Sequence, residues 1–186
     1  MYRFLLLFPL VGLVSALSGC AASRAPAPGE PSVQVVNVLS WDNALSGKRD
    51  GLRSAWPLHR LRGHGEEFPL AQVKQCQGTV CSWGVLKAGR TIRSAQATEQ
   101  GVRVDLVLDV DVARNHAQRT GPQQAAVNIP ADVPALAAQR HVERSVDLAY
   151  GKPARIDFDF GIAYDICAER LDGAGKPVDT CPLPYF

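Results

Sequence analysis

Two stretches of the chain alternate between apolar and polar positions with a period of two. In residues 101–113 every second position holds Val or Leu, and most positions between them hold Arg or Asp. In residues 154–168 the alternate positions hold Ile, Phe and Tyr. This period is typical of a β-strand that buries one face. The pattern predicts two long half-buried strands, the second with a bend at Gly161, because long strands usually bend and glycine tolerates the bend.

Shorter stretches show the same period less clearly. They cover residues 33–39, 71–76, 80–87, 91–98, 125–129 and 142–148. Turn signals separate several of them, at residues 87–90, 99–101, 150–153 and 172–175. Many short strands with one polar face are typical of antiparallel sheets packed face to face. We therefore predict an all-β fold for residues 32–186: an antiparallel β-sandwich of immunoglobulin or transthyretin type, with a small β-barrel as the alternative.

The segment of residues 41–67 shows neither the strand period nor the helix period. We expect one long irregular loop here, with short helical turns near residues 51–58 and, further along the chain, near residues 132–139. Unstructured connections longer than about 12–15 residues are uncommon in compact domains, and most of them are functional or disordered. The loop is therefore a candidate functional segment.

The first twenty residues have the composition of an export signal. Arg3 is followed by an uncharged apolar run at residues 4–17, which is shorter than the roughly 18 residues that a membrane span needs. The run ends in Leu17-Ser18-Gly19-Cys20, which resembles the lipobox of bacterial lipoproteins. The resemblance implies cleavage of the signal peptide, residues 1–19, and attachment of lipid, including palmitate, to Cys20. An ordinary signal peptide with a cysteine at its cleavage site is the alternative.

The residues around and after Cys20 indicate how the domain is attached. Residues 20–31 are rich in Pro and Ala, which favours an extended tether of about 3.1 Å per residue. Lipid chains hold a protein firmly, since each buried methylene contributes about 0.8 kcal/mol. In lipoproteins an aspartate after the cysteine usually marks the inner membrane, and this chain has Ala21 there. The resemblance therefore implies an outer-membrane lipoprotein, which we expect to face the periplasm.

The charge balance narrows the range of partners. The chain carries 20 Lys and Arg against 18 Asp and Glu, a formal net charge of +2. A nearly neutral chain argues against a general nucleic-acid binder. After the signal there is no second long apolar run, and the remaining length is enough for one domain with its own core. We expect the lipid anchor to be the only membrane attachment within the chain.

The predicted domain contains four cysteines: Cys76, Cys81, Cys167 and Cys181. In an exported chain an even number of cysteines is typical of disulfides. The first two flank Gly78-Thr79, a tight turn that sets them opposite each other. The other two are equidistant from Ala174, so a hairpin centred there brings them face to face. We predict two local disulfides. Bridges between the two hairpins are the alternative, and a zinc site is disfavoured because the spacings differ from the usual C-x2-C pairs.

Residues 48–64 combine arginine with tryptophan. The side chains that form the candidate partner-binding surface are Arg49, Arg53, Trp56, Arg60 and Arg62. Arginine and tryptophan are enriched in interface anchors because both offer a large contact area in desolvated pockets. An envelope protein, or an anionic envelope component such as a lipid headgroup, fits this composition. The alternative is that tryptophan plugs the end of the sandwich while the arginines are merely solvated.

Two further clusters carry metal-binding residue types. The first comprises His59, His64, Glu66 and Glu67, and its imidazoles and carboxylates suit zinc or copper. The second comprises Asp105, Asp109, Asp111, Asp157 and Asp159, which would hold calcium only if the two strong strands were neighbours. A solvated loop and a charged sheet face that prevents aggregation explain both clusters without a metal. We predict no metal site and no cofactor.

Common enzyme motifs are missing from the sequence, among them a phosphate-binding loop, a G-x-S-x-G elbow and an H-E-x-x-H helix. We expect a non-enzymatic envelope lipoprotein, a tethered module that binds or scaffolds another envelope component. A secretion or pilus machine, or the neutralisation of a toxic enzyme, is a suitable setting for such a module. The alternative is a periplasmic hydrolase or metal-handling protein that uses residues 59–67.

Overall fold

The computed structural model describes residues 32–186, which consist almost entirely of β-strands. The predicted signal peptide, lipidation site and tether lie outside the described residues. The strands are β1 (Ser32–Asp42), β2 (Arg49–Pro57), β3 (His64–Gln77), β4 (Val80–Ala97), β5 (Gly101–Ala113), β6 (Asn115–Thr120), β7 (Gln123–Asn128), β8 (Ala138–Ala149), β9 (Ala154–Asp157) and β10 (Ala163–Leu171). Two short 3₁₀ turns lie at Leu58–Arg60 and Asp159–Gly161.

The strands form two four-stranded antiparallel sheets that pack face to face. The first sheet has the order β2-β1-β10-β9, and the second has the order β3-β4-β5-β8. Strands β6 and β7 form a separate hairpin, and the sheets do not close into a barrel. The predicted antiparallel β-sandwich is confirmed, and the barrel alternative is wrong.

The core lies between the two sheets and follows the predicted alternation. Val102, Val104 and Leu106 of β5 are buried together with Tyr164 and Ile166 of β10, which face them from the other sheet. Strand β5 has the bounds that its period predicts. Burying one face of each long strand against the other sheet removes these side chains from water, which is the main driving force for this fold.

The bend predicted at Gly161 is a full reversal of the chain. Phe160 and Gly161 adopt positive φ angles of 60° and 72°, and strands β9 and β10 pair antiparallel on either side of them. Glycine adopts a positive φ angle without steric cost. The predicted single strand of residues 154–168 is therefore two neighbouring strands of the first sheet.

The turn predicted at residues 87–90 is wrong, because β4 runs without interruption from Val80 to Ala97. Gly89 lies inside the strand, opposite Glu67 of β3. The neighbouring side chains of Ala88 and Arg90 are buried in the sandwich. Lys87, Gly89 and Arg90 together have the composition of a turn. Because Arg90 faces inward, it also breaks the apolar period by which the strand could be recognised.

The long irregular loop predicted at residues 41–67 is also wrong. It contains all of β2, which pairs along its length with β1. Leu52 and Trp56 of β2 pack towards the core, but Asp50 and Ser54 share their parity, so the apolar period is broken. The helical turn predicted near residues 51–58 is present only as the 3₁₀ turn at Leu58–Arg60, and the one predicted near residues 132–139 is wrong. The first range is mostly β2, and the second holds a turn and extended chain.

One end of the sandwich, which we call the Ser32 end, collects several chain connections. In the first sheet Ser32 pairs with Leu171, and Gln34 pairs with Pro57. The connections that follow β2, β4, β8 and β10 therefore all leave the sheets at this end, at residues 58–63, 98–100, 150–153 and 172–176. A bridge between Tyr150 and Ala168 joins the two sheets there.

Candidate interaction surface

Both predicted disulfides are present. Cys76 and Cys81 are directly paired across the β3–β4 hairpin, with their Cα atoms 4.0 Å apart. The turn between them contains Gly78 with a φ of 63°. Cys167 is bonded to Cys181, with a Cα separation of 6.0 Å. The two local bridges are confirmed, and bridges between the hairpins are excluded.

The Cys167–Cys181 disulfide attaches residues 181–186 to the outer face of the first sheet. The predicted hairpin around Ala174 extends only to the bridge between Leu171 and Pro177, and Cys181 itself lies outside any strand. The two cysteines are buried in a small second cluster with Val36, Val38 and Leu183. The outer face of β1 is thus covered by this segment and is not exposed to solvent.

Polar bonds fix the same segment in place. The backbone N–H of Cys181 donates to Oε1 of Glu169 at 2.8 Å. Glu169 is buried and also accepts a hydrogen bond from Nε2 of Gln34 at 2.7 Å. Nη1 of Arg53 donates to the carbonyl oxygen of Leu183 at 3.1 Å. A buried carboxylate with two donors is satisfied, and these hydrogen bonds together attach residues 181–183 to the first sheet.

Two large apolar side chains remain exposed beyond this anchor. The guanidinium of Arg53 lies 4.2 Å from the centre of the Tyr185 ring, and Tyr185 is 82% exposed. Phe186 is 50% exposed and lies against Gly51 of β2, where a Cβ atom would come within 2.6 Å of the ring. We call Arg53, Tyr185 and Phe186 the Arg–aromatic surface. Of these three residues, only Arg53 was predicted from the sequence.

Arg49 lies further along the same face and is held by neighbours within the chain. Its Nη2 donates to Oγ of Ser40 at 2.8 Å, and its Nη1 contacts Oδ1 of Asp42 at 3.2 Å. Nη1 also donates to the carbonyl oxygen of Gly161. Through these contacts Arg49 links the β9–β10 reversal to β1.

Trp56 lies on the opposite face of β2, between the sheets. Its ring centre is 4.3 Å from the ring centre of His64, and it packs against the main core. Arg60 and Arg62 are exposed at the Ser32 end. The five predicted partner-binding residues therefore do not form one surface, because the strand character of β2 sends Arg53 and Trp56 to opposite faces. That any of them binds a partner stays a prediction.

The glutamates of the predicted His–Glu cluster bind different partners. Glu66 accepts hydrogen bonds from Nη2 of Arg90 at 2.8 Å and from Oγ of Ser54 at 3.0 Å. Glu67 accepts a bond from Gln118 at 3.2 Å. In residues 32–186 no group of three or more His, Cys, Asp or Glu side chains is placed to hold a metal ion.

The interior of the sandwich contains a polar network that was not predicted from the sequence. The side chain of Arg90 is completely buried and faces Glu66, whose side chain is 22% exposed. Ser54 links Glu66 to the buried Asn37 at 3.2 Å, so the network connects the two sheets. Tyr164 lies beside it, and burial raises the pKa of its hydroxyl. The sequence does contain one indication that Arg90 is buried. It shares its parity with Leu86 and Ile92, so on a continuous strand it would face inward with them.

The five acidic candidates are on different sheets. Asp105, Asp109 and Asp111 belong to β5, whereas Asp157 and Asp159 lie next to the β9–β10 reversal, so the two strong strands are not neighbours. Hydrogen bonds from Ser145 and Ser94 lower the pKa of Asp105. On the same face, hydrogen bonds to Asp109 and Glu143 raise the pKa of His141. The outer face of the second sheet is thus a set of local polar pairs.

Compared with protein families, with curated proteins and with solved structures, the chain has no match. The two disulfides indicate an oxidising, extracytoplasmic compartment. Within residues 32–186, no helix has the length and apolar character needed to cross a membrane.

Proposed function

We propose that this protein is a lipid-anchored binding module of the bacterial envelope, which holds an envelope protein through the Arg–aromatic surface. The observation that carries the proposal is the exposure of Tyr185 and Phe186 on a segment that a disulfide attaches to the sandwich. Acylation of Cys20, a tether at residues 20–31 and an outer-membrane location facing the periplasm complete the proposal. The lipobox resemblance supports these features.

The composition of the surface favours a protein partner. Tyrosine, phenylalanine and arginine are enriched in the buried centres of protein interfaces, where a few such residues carry most of the binding free energy. A tyrosine ring that stacks on a guanidinium offers a flat apolar area together with a hydrogen-bond donor. Because Arg53 already orients Tyr185, little side-chain entropy is lost when a partner binds.

The attachment of the segment also supports binding. Cys181 and Leu183 are buried, so the backbone that carries Tyr185 and Phe186 is fixed to the sheet at two points. A surface that is rigid before the partner arrives loses less free energy on association than a flexible one. A secretion or pilus component that scaffolds its neighbours, and an inhibitor of a toxic enzyme, both act in this manner.

Site-specific photocrosslinking in the native envelope tests the proposal. A photoreactive residue in place of Tyr185 should give one dominant crosslinked protein. The same residue in place of Val80, which is 61% exposed in the β3–β4 hairpin of the second sheet, should not give it. Tyr185→Ala with Phe186→Ala should abolish capture while changing the free energy of unfolding by less than about 0.5 kcal/mol, as is usual for exposed positions. Equal crosslinking from both positions, or capture that survives the double substitution, would contradict the proposal.

A further inference from the structure

We infer that the Ser32 end of the sandwich docks on anionic phospholipid headgroups of the membrane to which the protein is anchored. The inference rests on the proposed lipid anchor and adds a second contact, between the folded domain and the lipid surface. Four basic side chains carry it: Arg60, Arg62, Lys152 and Lys176. All four are exposed. Within the described part of the chain none of them forms an ion pair.

The topology brings these four side chains to one end although they are far apart in sequence. Arg60 and Arg62 lie in the connection from β2 to β3, and Lys152 lies in the connection from β8 to β9. Lys176 closes the turn after β10, where its backbone N–H donates to Asp172 at 2.9 Å. Strand pairing places these connections beside Ser32, since Gln34 lies opposite Pro57 and Ser32 lies opposite Leu171.

The acidic groups in the same connections do not cancel this charge. They are Glu99 and Asp172, two carboxylates against four basic side chains, so the connections keep an excess of two positive charges. Asp179, which lies close by, is paired with Arg170 at 2.5 Å. The Ser32 end therefore presents a net positive charge to whatever it faces.

Chain connectivity identifies the surface that this end faces. The described chain begins at Ser32, so residues 20–31, which join it to Cys20, reach the domain at this end. The proposed tether has twelve residues and a reach of at most about 43 Å, at about 3.6 Å per residue, so lipid headgroups lie within its reach. A basic side chain near an anionic membrane surface strengthens binding by about fivefold, and the effect falls off within a Debye length.

Vesicle co-sedimentation tests the inference on the mature chain carrying Cys20→Ser, which removes the lipid. The chain should sediment with vesicles of phosphatidylethanolamine and phosphatidylglycerol and remain soluble with vesicles of phosphatidylcholine. Arg60→Glu with Arg62→Glu should weaken binding by about tenfold or more, because each reversal removes one attraction and adds one repulsion. Binding should also decrease with added salt.

A matched control distinguishes binding through the Ser32 end from a general effect of the protein's net charge. Lys48→Glu with Arg140→Glu changes the charge by the same amount at exposed positions away from the Ser32 end, in the β1–β2 connection and near the start of β8, and it should leave vesicle binding unchanged. Lys152→Glu with Lys176→Glu is a second, independent variant that should weaken binding like the first. Thermal unfolding checks that each variant is folded. Equal weakening by the control, or no preference for phosphatidylglycerol, would overturn the inference.

The experiments distinguish a failure of this inference from a failure of the proposed function. Crosslinking from position 185 and lipid labelling at Cys20 are separate measurements, so either can fail while vesicle binding succeeds. Loss of the crosslinked partner in the Arg60→Glu/Arg62→Glu variant, without any vesicle binding by the unaltered chain, would assign this end to a protein partner and overturn the inference.

Discussion

Arg90 shows how a charged side chain becomes part of the interior. It is fully buried, and its Nη2 donates to Glu66 at 2.8 Å. A buried charge is tolerated only when it is paired and hydrogen-bonded, and here Ser54 supports the same carboxylate. Because Glu66 belongs to the second sheet and Ser54 to the first, the network fixes how the two sheets face each other.

Trp56 separates a structural role from a binding role. Trp56→Ala removes a half-buried ring that packs on His64 and the core, so we expect the free energy of unfolding to fall by about 3 kcal/mol. Partner capture through position 185 should be unchanged. Urea unfolding measures the first effect and photocrosslinking measures the second.

Arg60→Ala is the control for Trp56→Ala, because Arg60 is exposed and follows it closely in the chain. This substitution should change the free energy of unfolding by less than about 0.5 kcal/mol. A Trp56→Ala variant that retains full stability but loses the partner would show that Trp56 is an interface anchor.

The Arg–aromatic surface was only partly predictable. Arg53 was identified because it lies in a segment rich in arginine and tryptophan. Tyr185 and Phe186 were missed because their segment has no period, and the contact between Arg53 and Leu183 spans 130 residues of sequence. Local patterns do not report contacts at that distance unless a disulfide is known to make them.

Strands with one clean apolar face were predictable, and strands with polar residues on both faces were not. β5 has the predicted bounds because each of its inward positions from Val102 to Val112 is apolar. β2 was missed because Asp50 and Ser54 face inward with Leu52 and Trp56. The second kind of strand is stabilised by pairing and by tertiary hydrogen bonds, which leave no periodic signal in the sequence.

The Cys167–Cys181 disulfide should be required for binding as well as stability. Replacing both cysteines by alanine should lower the free energy of unfolding by about 3 kcal/mol, on the chain-entropy estimate for a loop of this size. It should also release residues 181–186 from the sheet, so crosslinking from position 185 should be lost. Denaturant unfolding and crosslinking of the same variant measure the two effects.

The Cys76–Cys81 pair provides the comparison. It closes a shorter loop at the end of the β3–β4 hairpin, and its removal should cost about 2 kcal/mol on the same estimate. Crosslinking from position 185 should persist in this variant. If both double variants lost the partner equally, the segment of residues 181–186 would not be the binding element.

The attachment of the protein to the membrane is tested at Cys20. Cys20→Ser should abolish metabolic labelling with palmitate. It should also let a high-salt wash release the protein from the membrane fraction, because salt screens any remaining contact with lipid headgroups. Cys76→Ser with Cys81→Ser should leave labelling intact, because these cysteines are bonded to each other. Labelling that persists in the Cys20→Ser variant would contradict lipidation at this residue.

The position of Arg53 along β2 sets a height above the membrane. With the Ser32 end on the lipid surface, Arg53 lies four residues up the strand from Pro57, and Gly51, which contacts Phe186, lies six residues up. At about 3.3 Å per residue, the surface stands roughly 13–20 Å above that end. A partner that binds this surface must therefore reach to within that distance of the bilayer. This requirement favours proteins that are themselves attached to the membrane.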